Sequence, residues 1–320
     1  MFEVVRRSPL QYAVAVLLAV GLLVSVLTGS SLLSVSRAAH LGCGEFGYHA
    51  DTGFGYGTCP TTTTTTTIPG GGTQPRGYWL TASDGGVFAF NATFSGSTGN
   101  LKLNKPIVGM AADPDGKGYW LVASDGGIFA FDAPFFGSTG AITLNKPIVG
   151  MAAAPGGLGY YLVASDGGVF AFGSGAVFKG STGAITLNKP VVGMAADRDG
   201  SGYWLFASDG GVFAFDAAFA GSTGAITLNK PIVGGAADRD GKGYFMVATD
   251  GGVFAFDANF AGSTGAITLN QPMVGMATDP DGDGYWLVAR DGGVFAFRSQ
   301  FHGSTGAIRL NQPMVGMAAA

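Results

Sequence analysis

From Gly77 onward the chain alternates short apolar runs with small polar turns. One unit reads GYWLVASDGGIFAF from Gly118, and variants begin at Gly77, Gly159, Gly202, Gly243 and Gly284. The starts are separated by 41, 41, 43, 41 and 41 residues. Each copy is two apolar runs joined by Asp-Gly-Gly, which supplies the positive φ of a tight turn and predicts a β-hairpin. Ahead of the hairpin lies a run of apolar and small residues, 106–112, and a turn, Asp113-Pro-Asp-Gly-Lys-Gly118. Behind it, residues 135–144 predict a fourth short strand near Ile142. The runs are apolar at nearly every position, the pattern of strands covered on both faces.

Six units of this kind predict an all-β six-bladed β-propeller, with an open β-solenoid as the alternative. A helical solenoid is excluded, because no helical period is present. The run with Gly109, Ala111 and Ala112 suits an innermost strand, where bulky side chains do not fit. Trp120, Phe129 and Phe131 suit the wider space between blades. Unit one opens at Gly77 on what would be a second strand, whereas Met314–Ala319 reads as a first strand. Pairing the two predicts ring closure by the C-terminal strand, leaving no free sheet edge. A truncated seventh unit is the alternative.

Residues 1–38 are expected to form a hydrophobic helix. Arg6 and Arg7 precede an uncharged stretch that lasts until Arg37. As a helix, Tyr12 to Val35 would be about 36 Å long, enough to span a bilayer. It reads either as a signal peptide cut after Ala38 or as an uncleaved membrane anchor, and both place the repeats outside the cytoplasm. Residues 39–60 hold Cys43 and Cys59, the only cysteines. In an exported chain these are expected to pair. Residues 61–76 begin with seven consecutive threonines and read as a disordered tether before the domain at 77–320.

Composition narrows the partners. Net charge is −4 and charged residues make up 12% of the chain, with no basic patch for a nucleic acid. The glutamates, Glu3 and Glu45, both precede the repeats, so repeat carboxylates are all Asp and most sit beside Gly in turns. The Asp-Gly-Gly carboxylates Asp84, Asp125, Asp166, Asp209, Asp250 and Asp291 recur in every unit, as turn-forming groups do and a single asymmetric active site does not.

The unit GYWLVASDGGVFAFDA…FxGSTGAITLNKPIVGMAADPDGKG resembles tandem repeats of exported actinobacterial proteins across residues 77–320. The resemblance implies a propeller-like fold and an extracytoplasmic address. It brings no catalytic residue and no cofactor.

Two groups carry candidate chemistry. Asp279, Asp281 and Asp283 alternate before Gly284, a spacing that resembles a calcium loop, although Arg290 stands where that loop has its bidentate Glu. A plain turn is the competing reading. The last unit collects Arg290, Arg298, His302 and Arg309, a candidate pocket for an anionic glycan; variation at exposed loop positions is the alternative. No carboxylate pair of unlike environment stands out for glycoside hydrolysis. The expected function is therefore a non-catalytic, monomeric surface module, secreted or anchored through the N-terminal helix. It would bind a cell-envelope glycan or a surface protein, without cofactor unless Ca2+ occupies the Asp loop. A hydrolase or lyase using the basic cluster, and a purely structural surface element, are the competing classes.

Overall fold

Every Tyr-led apolar run becomes the middle strand of a sheet, buried along its whole length. The computed structural model describes residues 76–320. The helix expected at 1–38, the Cys43–Cys59 pairing and all but the last residue of the 61–76 tether lie outside the described residues. Among the described residues there is no α-helix.

Five sheets use consecutive strands: β3 (Ile107–Ala112), β4 (Tyr119–Ala123) and β5 (Ile128–Phe131); β6 (Ile148–Ala153), β7 (Tyr160–Ala164) and β8 (Val169–Phe172); β9 (Val191–Ala196), β10 (Tyr203–Ala207) and β11 (Val212–Phe215); β12 (Ile232–Ala237), β13 (Tyr244–Ala248) and β14 (Val253–Phe256); β15 (Met273–Thr278), β16 (Tyr285–Ala289) and β17 (Val294–Phe297). The sixth sheet joins β1 (Tyr78–Ala82) and β2 (Val87–Phe90) to β18 (Met314–Ala319), from the far end of the repeats. Tyr78 lies opposite Ala319 in that antiparallel pair, and Leu80 opposite Met317. The first strands contact one another in the circular order β3, β6, β9, β12, β15, β18 and back to β3. The result is a propeller-like ring of six three-stranded sheets. An axial cavity of about 150 Å³ is lined by the Val-Gly-Met of five first strands, as at Val108, Gly109 and Met110, and by Val233, Gly234 and Gly235 of the sixth.

The expected fourth strand does not form. Ile142 lies in a turn and is 57% exposed. The segment that leaves each third strand runs along the outer flank without a ladder, because side chains take its backbone hydrogen bonds. Tyr119 Oη donates to Gly96 O at 2.5 Å and accepts from Gly96 N at 3.0 Å, reaching into the segment of the preceding sheet. Tyr160, Tyr203, Tyr244 and Tyr285 repeat the contact on Gly137, Gly180, Gly221 and Gly262, and Tyr78 makes it on Gly303. Trp79, Trp120, Trp204 and Trp286 pin their own segment, each indole N–H donating to a segment carbonyl at 2.8–2.9 Å. Burial holds these six phenols above the usual tyrosine pKa, so the hydroxyls remain donors.

Each ring at the Trp position also packs on the tyrosine of the next sheet. Trp79 meets Tyr119 at 5.1 Å between centroids and Trp120 meets Tyr160 at 5.4 Å; Trp286 meets Tyr78 at 5.1 Å and carries the stack across the closing sheet. All four tryptophans are fully buried. They are packing residues, each contributing about 3–5 kcal/mol by the usual cost of truncating a core aromatic.

One boundary between sheets departs from the pattern. Gly235 in β12 stands where the other first strands carry Met110, Met151, Met194, Met276 and Met317. Phe206 in β10 stands where the other middle strands carry Thr81, Val122, Val163, Val247 and Val288. A Cβ at position 235 would lie 2.5 Å from the Phe245 carbonyl oxygen and 2.8 Å from Phe206 Cε2, so the backbone of the next strand and the Phe206 ring together fill the room of the missing methionine. The pair conserves volume in the core.

Candidate functional site

Antiparallel pairing puts the two kinds of turn at opposite ends of the ring. At one end are the Asp-Gly-Gly turns. Asp125 Oδ1 accepts from Gly127 N at 3.0 Å, and Thr139 Oγ1 donates to Asp125 O at 3.1 Å from below. Asp84, Asp166, Asp209, Asp250 and Asp291 make the same backbone contact at 2.9–3.1 Å. These carboxylates shape turns.

Neighbouring sheets leave grooves at this end. Three of them, of about 270–290 Å³, share one composition. Asp166, Asn188 and Ile185 line the first, with Lys146 and Lys189 at its sides. Asp250, Asn270 and Ile267 line the second with Lys230, and Asp291, Asn311 and Ile308 line the third with Arg290. The isoleucines are 56–59% exposed, so each groove offers an apolar floor beside a carboxylate, an amide and a cation.

The Asp-x-Asp-Gly turns at the other end ring an axial funnel of about 470 Å³. Its wall is the small C-terminal half of the first strands, including Ala112, Ala153, Ala196 and Ala237, and its rim carries Pro114, Pro155 and Pro280. Arg198 reaches across it: Nη2 donates to Thr278 Oγ1 at 3.0 Å, over a sequence distance of 80 residues. Crowding by the wall lowers the Arg198 pKa by desolvation, although the side chain still meets solvent and an Arg of this kind stays charged. Burial likewise raises Asp113, Asp197 and Asp238, the first carboxylates of three turns. The second carboxylates, Asp115, Asp199 and Asp240, are lowered by the backbone N–H two residues on, from Lys117, Ser201 and Lys242.

The sequence-predicted residues are dispersed. Arg290 and Arg309 lie at the Asp-Gly-Gly end, and only Arg290 lines a groove. Arg298 follows β17 at the opposite end, in a left-handed conformation with φ of 51°. His302 is an inter-sheet packing residue, 5.7 Å from the Tyr78 ring and 6.4 Å from Trp286, in the position that Phe136 fills in another unit. A single basic pocket is thus not formed. Asp279, Asp281 and Asp283 also face separate partners. Asp279 Oδ1 accepts from Asp281 N at 2.9 Å, Asp281 Oδ2 accepts from Arg76 N at 2.7 Å, and Asp283 lies 3.8 Å from Arg239. Among the described residues no three His, Cys, Asp or Glu side chains converge as a metal site.

Arg198 and Thr278 escape a reading that looks for clusters along one unit. Their signal is departure from the repeat: Thr278 replaces the Ala found at 112, 153, 196, 237 and 319, and Arg198 stands where three turns carry Pro. Six phenylalanines, Phe94, Phe135, Phe178, Phe219, Phe260 and Phe301, also stay 53–61% exposed on the outer segments.

No protein-family model matches this chain, and neither does any curated protein. Among solved structures, a structural-genomics protein of unknown function from Bacteroides thetaiotaomicron is similar over 76% of this chain and 71% of its own, at 13% identity and a TM-score of 0.46. A likeness of that degree carries no argument about activity, and the architecture described above stands on the pairing of the chain's own strands.

Proposed function

We propose that this chain is a non-catalytic six-bladed β-propeller that binds a cell-envelope glycan through several equivalent grooves, outside the cytoplasm. The carrying observation is the recurrence of one groove, with Asp, Asn and an exposed Ile, at three sheet boundaries of the Asp-Gly-Gly end. Carboxylate and amide offer acceptors and donors to sugar hydroxyls, and the isoleucine offers a face for ring C–H groups. The individual contacts are modest, and a repeating polymer can occupy several at once, so avidity supplies the affinity. An extracytoplasmic address rests on the apolar stretch at Tyr12 to Val35 and the threonine tether.

A pull-down of the full chain on insoluble cell-envelope polysaccharide tests the reading. Asn188→Ala alone should weaken retention about two- to threefold, and the triple change at Asn188, Asn270 and Asn311 by tenfold or more, as expected when linked sites are removed together, roughly multiplicatively. Retention of the triple variant equal to that of the parent would overturn the proposal. So would a parent that binds no polysaccharide, an outcome that returns the molecule to a structural surface role.

A further inference from the structure

We infer that the axial funnel at the Asp-x-Asp-Gly end is a second, independent binding site, for a small polyol that carries one carboxylate, the chemistry of an acidic sugar. Arg198 is its anchor. The funnel, at about 470 Å³, is roomier than the grooves of the opposite end, at about 270–290 Å³, and falls in the range of small-molecule pockets. It is also where the repeats stop being equivalent. Arg198 and Thr278 belong to different sheets, each differs from its counterparts in most units, and they meet over the funnel. Two unrelated departures that touch are better explained by a shared task than by separate drift of surface positions.

The chemistry narrows the ligand. A guanidinium has five N–H donors in a planar fork, and the Thr278 bond uses one, so a fork suited to a carboxylate is left facing the funnel. The neighbouring cations are engaged elsewhere, Arg76 with Asp281 and Arg239 with Asp283. Arg198 is in no ion pair within 4 Å among the described residues, and the nearby Asp238 carboxylate partly offsets its charge, so the funnel suits a monoanion better than a phosphate or sulfate dianion. Across the ring from β12, over which Arg198 extends, the turn after β3 places Asp113 in the funnel lining. Its Oδ1 accepts from Asp115 N at 3.3 Å, and the carboxylate can accept from a ligand hydroxyl. Alanine walls and proline rims between these poles suit the C–H faces of a saturated ring.

Such a group could arrive as a free sugar acid or as the end of an acidic polysaccharide. Calorimetric titration of the full chain with glucuronate, with a short oligouronide and with glucose separates these. Glucuronate or the oligouronide should bind, with glucose at least about tenfold weaker, the usual worth of a charge-assisted bond. Comparable affinity for both acids would mean a free sugar acid, and clear preference for the oligouronide a chain end. Arg198→Pro and Thr278→Ala install residues that other units carry at these positions, so the fold should hold; matching melting curves check this. Arg198→Pro should lose about tenfold or more and Thr278→Ala about threefold, consistent with one charged and one neutral hydrogen bond. The triple asparagine variant of the grooves should bind glucuronate as the parent does, which separates this site from the polysaccharide grooves. Acid binding that survives Arg198→Pro, equal binding of glucose, or no binding of either acid would each overturn the assignment.

Discussion

The two ends of the ring are made from the same six repeats and have diverged to different extents. At the Asp-Gly-Gly end each unit keeps the same carboxylate-to-backbone bond, the same glycine and the same buried threonine beneath it. At the opposite end one turn has lost both carboxylates, two carry Arg at the second position, and ion pairs link neighbouring turns. The difference follows from packing. The Asp-Gly-Gly turn closes onto its own outer loop, so each residue is constrained by a partner in the same unit. The Asp-x-Asp-Gly turn projects over the axis, where several positions face open space and can change independently. Uniformity marks the end with several similar grooves, and divergence marks the end with a single funnel.

A matched pair of glycine substitutions tests this most severely. Gly126 and Gly116 both have positive φ, 77° and 74°. A Cβ at Gly126 would collide with Thr139 Oγ1, whereas at Gly116 nothing lies within 4 Å. Gly126→Ala should therefore cost about 3 kcal/mol or more, from left-handed strain plus displacement of a buried hydroxyl. Gly116→Ala should cost only the strain, about 1–2 kcal/mol. Denaturant unfolding measures both, and equal losses would dissolve the contrast between the ends.

A middle-sized effect is expected at the departure inside the core. Phe206→Val should lose about 2–3 kcal/mol by opening a cavity, and Gly235→Met about 1–3 kcal/mol by overfilling the same space and pressing its Cβ on the Phe245 carbonyl oxygen. Together they restore the residue pair of the other five boundaries and relieve the contact with the Phe206 ring, so the double variant should lose less than the sum by more than about 1 kcal/mol. Strict additivity in the unfolding midpoints would mean that the two residues differ from consensus for separate reasons.

The smallest effect concerns Asp113. Burial raises its pKa, so the folded chain holds that proton more tightly than the unfolded one. The associated stability is complete below the unfolded value near 3.8 and lost as pH rises through the higher folded value. Asp113→Asn retains an Oδ1 for the Asp115 N–H and removes the desolvated charge. It should raise the melting temperature slightly at neutral pH, with the gain fading as acid is added. A lower melting temperature at neutral pH would show that the ionised carboxylate is needed, for instance to hold a cation of the turn.

Much of this architecture was legible in the chain. The hairpins, the small-residue inner strand, the interior tryptophans and the pairing of Met314–Ala319 with the first hairpin all follow from repeat spacing and residue size. The fourth strand was not legible, because apolar content marks a segment as lining a sheet without saying what takes its hydrogen bonds. Here Tyr119 and its equivalents take them, a contact between successive units that a reading within one unit does not reveal. The candidate site was less legible for a related reason. Arg290, Arg298, His302 and Arg309 are close in sequence, but the strand reversal at the Asp-Gly-Gly turn sends them to different places. Arg198 and Thr278 are far apart in sequence, and the ring brings them together.

Five sheets form from adjacent segments; the sixth joins Tyr78 to Ala319 from opposite ends of the repeat sequence. Because that pair is antiparallel, the first residue of one strand faces the last residue of the other, at the same end of the ladder. Tension applied through these two points would load the ladder one rung at a time, as a zipper is opened, and would not shear all rungs together. The junction is paired like its counterparts in the other sheets, yet a pull on these two points should open that sheet before it disturbs any other.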